Sequence, residues 1–210
     1  MEEPMVEVEQ KAVNYLALGD SYTIGQGVQA ASSFPLLLKT ELQSLNFTFV
    51  NEPKIIAKTG WTCADLLSNI KKEPLVPNTF DLVTVLIGVN DQYRGFDIAQ
   101  YPENFTKVIQ QAIDFAGTKD HVVVLSIPDY SVTPFGGGSQ TTAKAIAEYN
   151  KINKKITLDL GIKYVDITPI SLKAKDDLSY LASDKLHPSE KMYGEWVEEM
   201  LDEVELVLKR

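Results

Sequence analysis

Asp81-Leu82-Val83-Thr84-Val85-Leu86-Ile87-Gly88 is the stretch on which the fold turns. It is apolar almost throughout, rich in β-branched residues, short for a helix and closed by glycine. A strand buried on both faces has this composition, and such strands belong to parallel sheets covered by helices. Similar runs lie on either side. Residues 13–19 are apolar and end in Gly19, residues 121–127 read as a fourth strand, and residues 163–167 as a fifth. Residues 47–58 carry the second strand, interrupted by Pro53, so its limits stay open.

Between these runs the apolar spacing becomes helical. Ser33 is placed to cap a helix to Leu45, with Phe34, Leu37, Leu38, Leu42 and Leu45 on one face. Thr62-Cys63-Ala64-Asp65 resembles a capping box and opens a helix carrying Leu66, Leu67 and Ile70. Pro102 suits a first helical residue, followed by Phe105, Val108, Ile109, Ala112 and Ala116, with Gly117 as the stop. Residues 141–160 form a long helix that turns Ile146, Tyr149, Ile152 and Ile156 inward. Pro188 starts a closing helix packed through Met192, Trp196, Met200, Val204 and Leu208. Strands alternating with helices predict an α/β chain, a three-layer α/β/α arrangement around a parallel sheet of about five strands.

Length and composition bound the rest. At 210 residues and 44% hydrophobic, the chain suits one domain over residues 13–210. Residues 1–12 read as an acidic segment, left open between order and disorder. No apolar run approaches the roughly 20 residues that span a bilayer. As written, the N-terminus lacks the basic and apolar regions of a secretory signal, so the expectation is a cytoplasmic protein. A periplasmic or secreted location stays open where a signal peptide has been removed. The net charge of −9 argues against a nucleic-acid groove or an anionic-membrane surface. Much of the excess lies on the closing helix, from Glu190 to Glu205, and reads as a solvated face. Cys63 is the sole cysteine, so no internal disulfide forms, and with two histidines no metal site is read.

The chemistry gathers at strand ends. Ser21 offers a hydroxyl, while Asp184 and His187 offer a carboxylate and an imidazole close enough to project from one turn of chain. A nucleophile, a base and an orienting group are what acyl transfer requires. Ligands of such sheets bind beyond the carboxyl ends of the strands. Ser21 follows strand one, Gly60 follows strand two, Gly88-Val89-Asn90-Asp91 follows strand three, and Asp184 with His187 follows strand five.

The order Gly19-Asp20-Ser21, Gly60, Gly88-Val89-Asn90-Asp91, then Asp184-Lys185-Leu186-His187 resembles the SGNH, or GDSL-type, esterase and lipase family, across residues 19–188. The resemblance implies a flavodoxin-like fold and ester hydrolysis without a cofactor. It implies Ser21 as nucleophile, Asp184 and His187 as its triad partners, and Ser21, Gly60 and Asn90 as oxyanion donors. A serine hydroxyl is a weak nucleophile at neutral pH, so His187 takes its proton and Asp184 holds the imidazole in the useful tautomer.

A chain without a cap insertion favours short acyl groups, such as O-acetyl esters on carbohydrates. A lysophospholipase or thioesterase acting on longer chains is the nearest rival. A non-catalytic flavodoxin-like binding module is the alternative of another class, and it has no use for so complete a residue set.

Nearby residues have plainer readings. Asp20 and Asp91 read as turn-organising carboxylates, Asp65 as a helix cap and Cys63 as a small buried filler. Tyr22, Trp61 and Tyr93 stand evenly between lining a pocket and packing on their own elements. The tract Pro134-Phe135-Gly136-Gly137-Gly138-Ser139 reads as a flexible surface loop rather than an active-site loop.

Overall fold

In the computed structural model, which describes residues 12–209, Leu82–Leu86 (β3) is the central strand of a five-stranded sheet. Its companions are Tyr15–Gly19 (β1), Lys54–Ala57 (β2), Val122–Leu125 (β4) and Lys163–Val165 (β5). The order is β2-β1-β3-β4-β5 and every pair is parallel. β1, β3 and β4 are buried along their whole length, which explains their unbroken apolar sequence. Of the N-terminal acidic segment, all but Ala12 lies outside the described residues.

Among the described residues eight α-helices accompany the strands, the last two following β5: Ser21–Ile24 (α1), Phe34–Ser44 (α2), Cys63–Ile70 (α3), Val89–Tyr93 (α4), Tyr101–Ala116 (α5), Gln140–Asp159 (α6), Thr168–Ser171 (α7) and Glu190–Leu208 (α8). α2 packs on α8, while α3 packs on α5 and α5 on α6. These two groups cover opposite faces, as right-handed crossovers demand when the chain runs from β1 outward to β2 and then back across to β3. Trp196 of α8 is fully buried and meets the rings of Phe34, Tyr22 and Tyr193.

Several boundaries differ from the sequence expectation, each for a local reason. β2 starts only after Pro53, which has no N–H for a sheet ladder, and Phe49 upstream makes a lone bridge to Val13. β4 and β5 end early because side chains take over the pairing beyond them. Ser126 Oγ donates to Asp166 Oδ1 at 3.0 Å, and the Ile127 N–H donates to Asn150 Oδ1 at 2.7 Å. Ser33 occupies the N-cap of α2, but its hydroxyl donates to the Ala30 carbonyl instead of capping the helix.

The closing helix begins at Glu190, with Ser189 as its cap, so Pro188 is not its first residue. Pro188 lies instead in an antiparallel bridge to Leu181. The Thr62–Asp65 capping box forms as its sequence suggests. On α8, Glu195 and Glu203 are paired with Lys173 and Lys163, so that face is only partly solvated.

Candidate active site

The turn from β1 into α1 is built around two residues. Gly19 has no room for a side chain, since a Cβ would stand 2.0 Å from Thr23 Oγ1 and 2.5 Å from the Leu86 carbonyl oxygen. Asp20 is the N-cap of α1 and accepts the Tyr22 N–H at 3.0 Å. Ser21 therefore takes the first helical position, beyond the carboxyl end of β1 and beside the β1–β3 switch point.

Two other strand ends reach the same place. Residues 58–61 form a turn closed by the Trp61 N–H on the Lys58 carbonyl at 3.1 Å, with Gly60 third at φ +80°. Thr59 has no positive φ, so this is a type II turn, whose third position disfavours a Cβ. After β3, Gly88 caps α4, and Asn90 follows on its first turn. Asn90 Nδ2 donates to the Trp61 carbonyl at 3.0 Å, leaving its second amide hydrogen for the cavity that Asn90 lines.

The third arm is the loop before α8. The Ala182 N–H donates to the His187 carbonyl at 2.8 Å, and the Ser189 N–H to the Tyr180 carbonyl at 2.8 Å, which closes the loop on itself. Inside it, Asp184 Oδ1 accepts the N–H groups of Leu186 and His187, both at 3.0 Å. Lys185 lies between them in the left-handed region at φ +58°. Asp184 Oδ2 lies 2.7 Å from His187 Nδ1, and His187 Nε2 lies 3.0 Å from Ser21 Oγ. Ser21 and His187 are both buried, so solvent competes little for these contacts. Tyr22 meets the imidazole edge-on, with ring centroids 5.6 Å apart.

Electrostatics separate the three aspartates. Burial raises the Asp184 carboxyl, but hydrogen bonds from the His187 ring and from the His187 and Leu186 N–H groups outweigh it and hold the group below its ordinary range. Burial pushes Asp20 up to about 8, against the Tyr22 N–H bond and with repulsion from Asp91 adding to it. Burial also raises Asp91, whose Oδ2 accepts the Cys63 N–H at 3.0 Å. Asp91 thus steadies the start of α3 as well as its own turn. Cys63 is fully buried and its thiol is pushed well up by burial.

Ser21, Asp184 and His187 form one hydrogen-bonded chain, and Gly60 and Asn90 line the same cavity of about 270 Å³ as Ser21 and His187. Asp184 and His187 do not follow β5 directly. α7 and two 3-10 turns, Leu172–Lys175 and Leu178–Tyr180, intervene. Tyr22 and Tyr93 line the cavity, whereas Trp61 contributes its carbonyl to Asn90 and is half-buried against the core.

The tract expected to be a plain surface loop borders the cavity instead. Phe135 forms part of the wall, and Thr133 Oγ1 and the Thr133 and Ser131 carbonyls accept the N–H groups of Gly136, Gly137 and Gly138. The sequence carries no signal for Tyr130, and for Phe135 only its place in that tract, just before three glycines. Among the described residues, no group of three His, Cys, Asp or Glu side chains could hold a metal ion, and no helix is long and apolar enough to cross a membrane.

Residues 17–194 match the model of the GDSL-like lipase/acylhydrolase family. Solved structures share the fold. An acetyl xylan esterase, AlAXEase, superimposes with a TM-score of 0.72 at 20% identity, covering 91% of this chain and 100% of its own. A lipase/acylhydrolase from Enterococcus faecalis gives 0.69 at 22% identity, covering 91% of this chain and 95% of its own. TesA gives 0.70 at 17% identity, covering 92% and 99%. Against curated protein sequences the chain finds no match. The protein is a carboxylic ester hydrolase, which displaces the reading as a non-catalytic binding module. It belongs to the GDSL-like lipase/acylhydrolase family.

Proposed function

We propose that the protein is a serine hydrolase that cleaves short-acyl esters, O-acetylated carbohydrates foremost, through an acyl-enzyme. The observation that carries this reading is the chain Ser21 Oγ, His187 Nε2, His187 Nδ1, Asp184 Oδ2, whose Ser21 and His187 line the cavity. His187 Nε2 takes the Ser21 proton as Oγ attacks the acyl carbon, and the same nitrogen returns it to the leaving alcohol. Water then attacks the acyl group on Ser21 and gives a proton to His187, which passes it to Ser21 Oγ as the bond to the acyl carbon breaks and the acid leaves. Asp184 keeps the Nδ1 proton in place and stabilises the imidazolium. The developing oxyanion is received by the Ser21 N–H, the Gly60 N–H and the Asn90 amide.

Two features support the short-acyl carbohydrate reading. The cavity is small, and its mouth is edged by Tyr93 and Phe135, which are 57% and 53% exposed with ring centroids 5.9 Å apart. Exposed rings of this kind suit the apolar face of a sugar. Acetyl xylan esterases are also among the proteins that share the fold.

A longer-chain lysophospholipase or thioesterase reading draws on an adjoining apolar groove. That groove is edged by Gln92, Phe96, Ile98 and Tyr149, and Gln92 accepts the hydroxyl of the cavity-lining Tyr130 at 2.9 Å.

Hydrolysis of nitrophenyl esters from acetate to palmitate, with Ser21→Ala beside wild type and acetylated xylo-oligosaccharide as a further substrate, tests the proposal. Expected are a rate highest on acetate, release of acetate from the oligosaccharide, and loss of both in Ser21→Ala. Activity retained by Ser21→Ala overturns the nucleophile, and a maximum on long chains overturns the substrate class.

A further inference from the structure

We infer that Arg94 is a positioning residue for the oxyanion pocket, holding the Gly60 turn against α4. The inference rests on the reading of Gly60 and Asn90 as oxyanion donors. Asn90, on the first turn of α4, and Arg94, its C-cap, are four residues apart and so point the same way. Arg94 Nη2 donates to the Gly60 carbonyl, and Asn90 Nδ2 donates to the next carbonyl, that of Trp61. Asp91 takes the Cys63 N–H just beyond. Three side chains of one short segment therefore grip the backbone of residues 60–63.

The guanidinium is itself aimed from the other side. Its Nη1 lies 3.5 Å from Asp65 Oδ2, and that carboxylate is held by the Thr62 N–H at 3.2 Å and the Thr62 hydroxyl at 3.0 Å. Gly60 needs this support because glycine has the widest backbone freedom and the work falls on its N–H. Among the described residues that N–H has no protein acceptor. At its other end the turn is tied by Thr59 Oγ1 to Gln26 Oε1. Arg94 does not line the cavity, so it acts through Gly60 rather than on substrate. Its ion pair with Asp65 is 44% and 41% exposed, and pairs so exposed add little to folding.

The test compares Arg94→Ala, Arg94→Lys and Asn90→Ala on nitrophenyl acetate, with urea unfolding of each. In Arg94→Ala, kcat should fall roughly ten- to a hundredfold with KM nearly unchanged, because the transition state alone uses the fixed N–H. Millimolar guanidinium, well below denaturing levels, should restore part of kcat in Arg94→Ala and none in Asn90→Ala. Arg94→Lys keeps a donor for the Gly60 carbonyl and should fall less, which also serves should the alanine variant fold poorly. Wild-type kcat in both Arg94 variants, or a loss expressed only in KM, overturns the inference while a slow Asn90→Ala leaves the oxyanion reading standing. Wild-type turnover in Asn90→Ala overturns the oxyanion reading and this inference with it.

Discussion

Asp184 binds His187 twice: Oδ2 holds the ring at Nδ1, 2.7 Å away, and Oδ1 holds the backbone N–H of the same residue at 3.0 Å. One carboxylate thus folds the loop that carries the imidazole and also orients it. The three-residue spacing has its physical reason here, since a carboxylate accepts backbone N–H groups two and three residues on, as it does from Leu186 and His187.

Replacing Asp184 with Asn separates these two duties. The amide oxygen still accepts both backbone N–H groups, so the unfolding midpoint should stay near wild type. The amide nitrogen facing Nδ1 imposes the wrong tautomer, and kcat should drop by up to roughly ten-thousand-fold. Steady-state kinetics beside a urea melt checks both halves.

Asn90→Ala removes the clasp on the Trp61 carbonyl and, in the mechanism we propose, one oxyanion donor. The expected loss in kcat is about a hundred- to a thousandfold, with the fold intact by circular dichroism. Turnover within a few fold of wild type would take Asn90 out of the oxyanion site.

Asp184 should put no limb of its own on the pH dependence of activity above about pH 5, because its hydrogen bonds hold it below the ordinary carboxylate range and keep it ionised. A rate profile from about pH 5 to about pH 9 checks it, and an acid limb steeper than one proton would require Asp184 to titrate there.

Asp20 gives stability its own pH dependence. The folded chain keeps a proton on Asp20 up to about pH 8, whereas the unfolded chain loses it in the ordinary carboxylate range. Between those limits the folded state binds more protons, so this group's contribution to stability declines as pH rises. Asn in its place retains the acceptor for the Tyr22 N–H and cannot ionise. Urea unfolding at about pH 5 and about pH 8 should show a decline in wild type that is smaller in Asp20→Asn, by on the order of 1–3 kcal/mol.

The loop beside the cavity offers a pair of contrasting variants. A Cβ on Gly136 would lie 2.1 Å from the Tyr130 carbonyl oxygen, so Gly136→Ala must shift that wall and should cost about 1–3 kcal/mol in a thermal or urea melt. Phe135→Ala removes a half-exposed ring. It should leave stability and nitrophenyl acetate turnover near wild type, yet raise KM for acetylated oligosaccharide severalfold.

The fold class was legible because periodicity is local. The buried runs around Leu82–Leu86 and Tyr15–Gly19 are continuous in sequence, and the Thr62–Asp65 capping box lies within one turn. Ser21, Gly60 and Asn90 were legible because each stands shortly after a strand end, and Asp184 and His187 because they share one short motif, with chemistry borne by residue type. Other features depend on residues far apart in the chain meeting in space. The Ser21–His187 contact spans 166 positions, and the grip of Arg94 on Gly60 spans 34. The aromatic wall joins Tyr93 of α4 to Tyr130 and Phe135 beyond β4. The pH response of Asp20 comes from burial, which a carboxylate acquires only when strands and helices close around it. Local spacing and residue chemistry are written along the chain, whereas distance across the sheet and exclusion of water arise only when it folds.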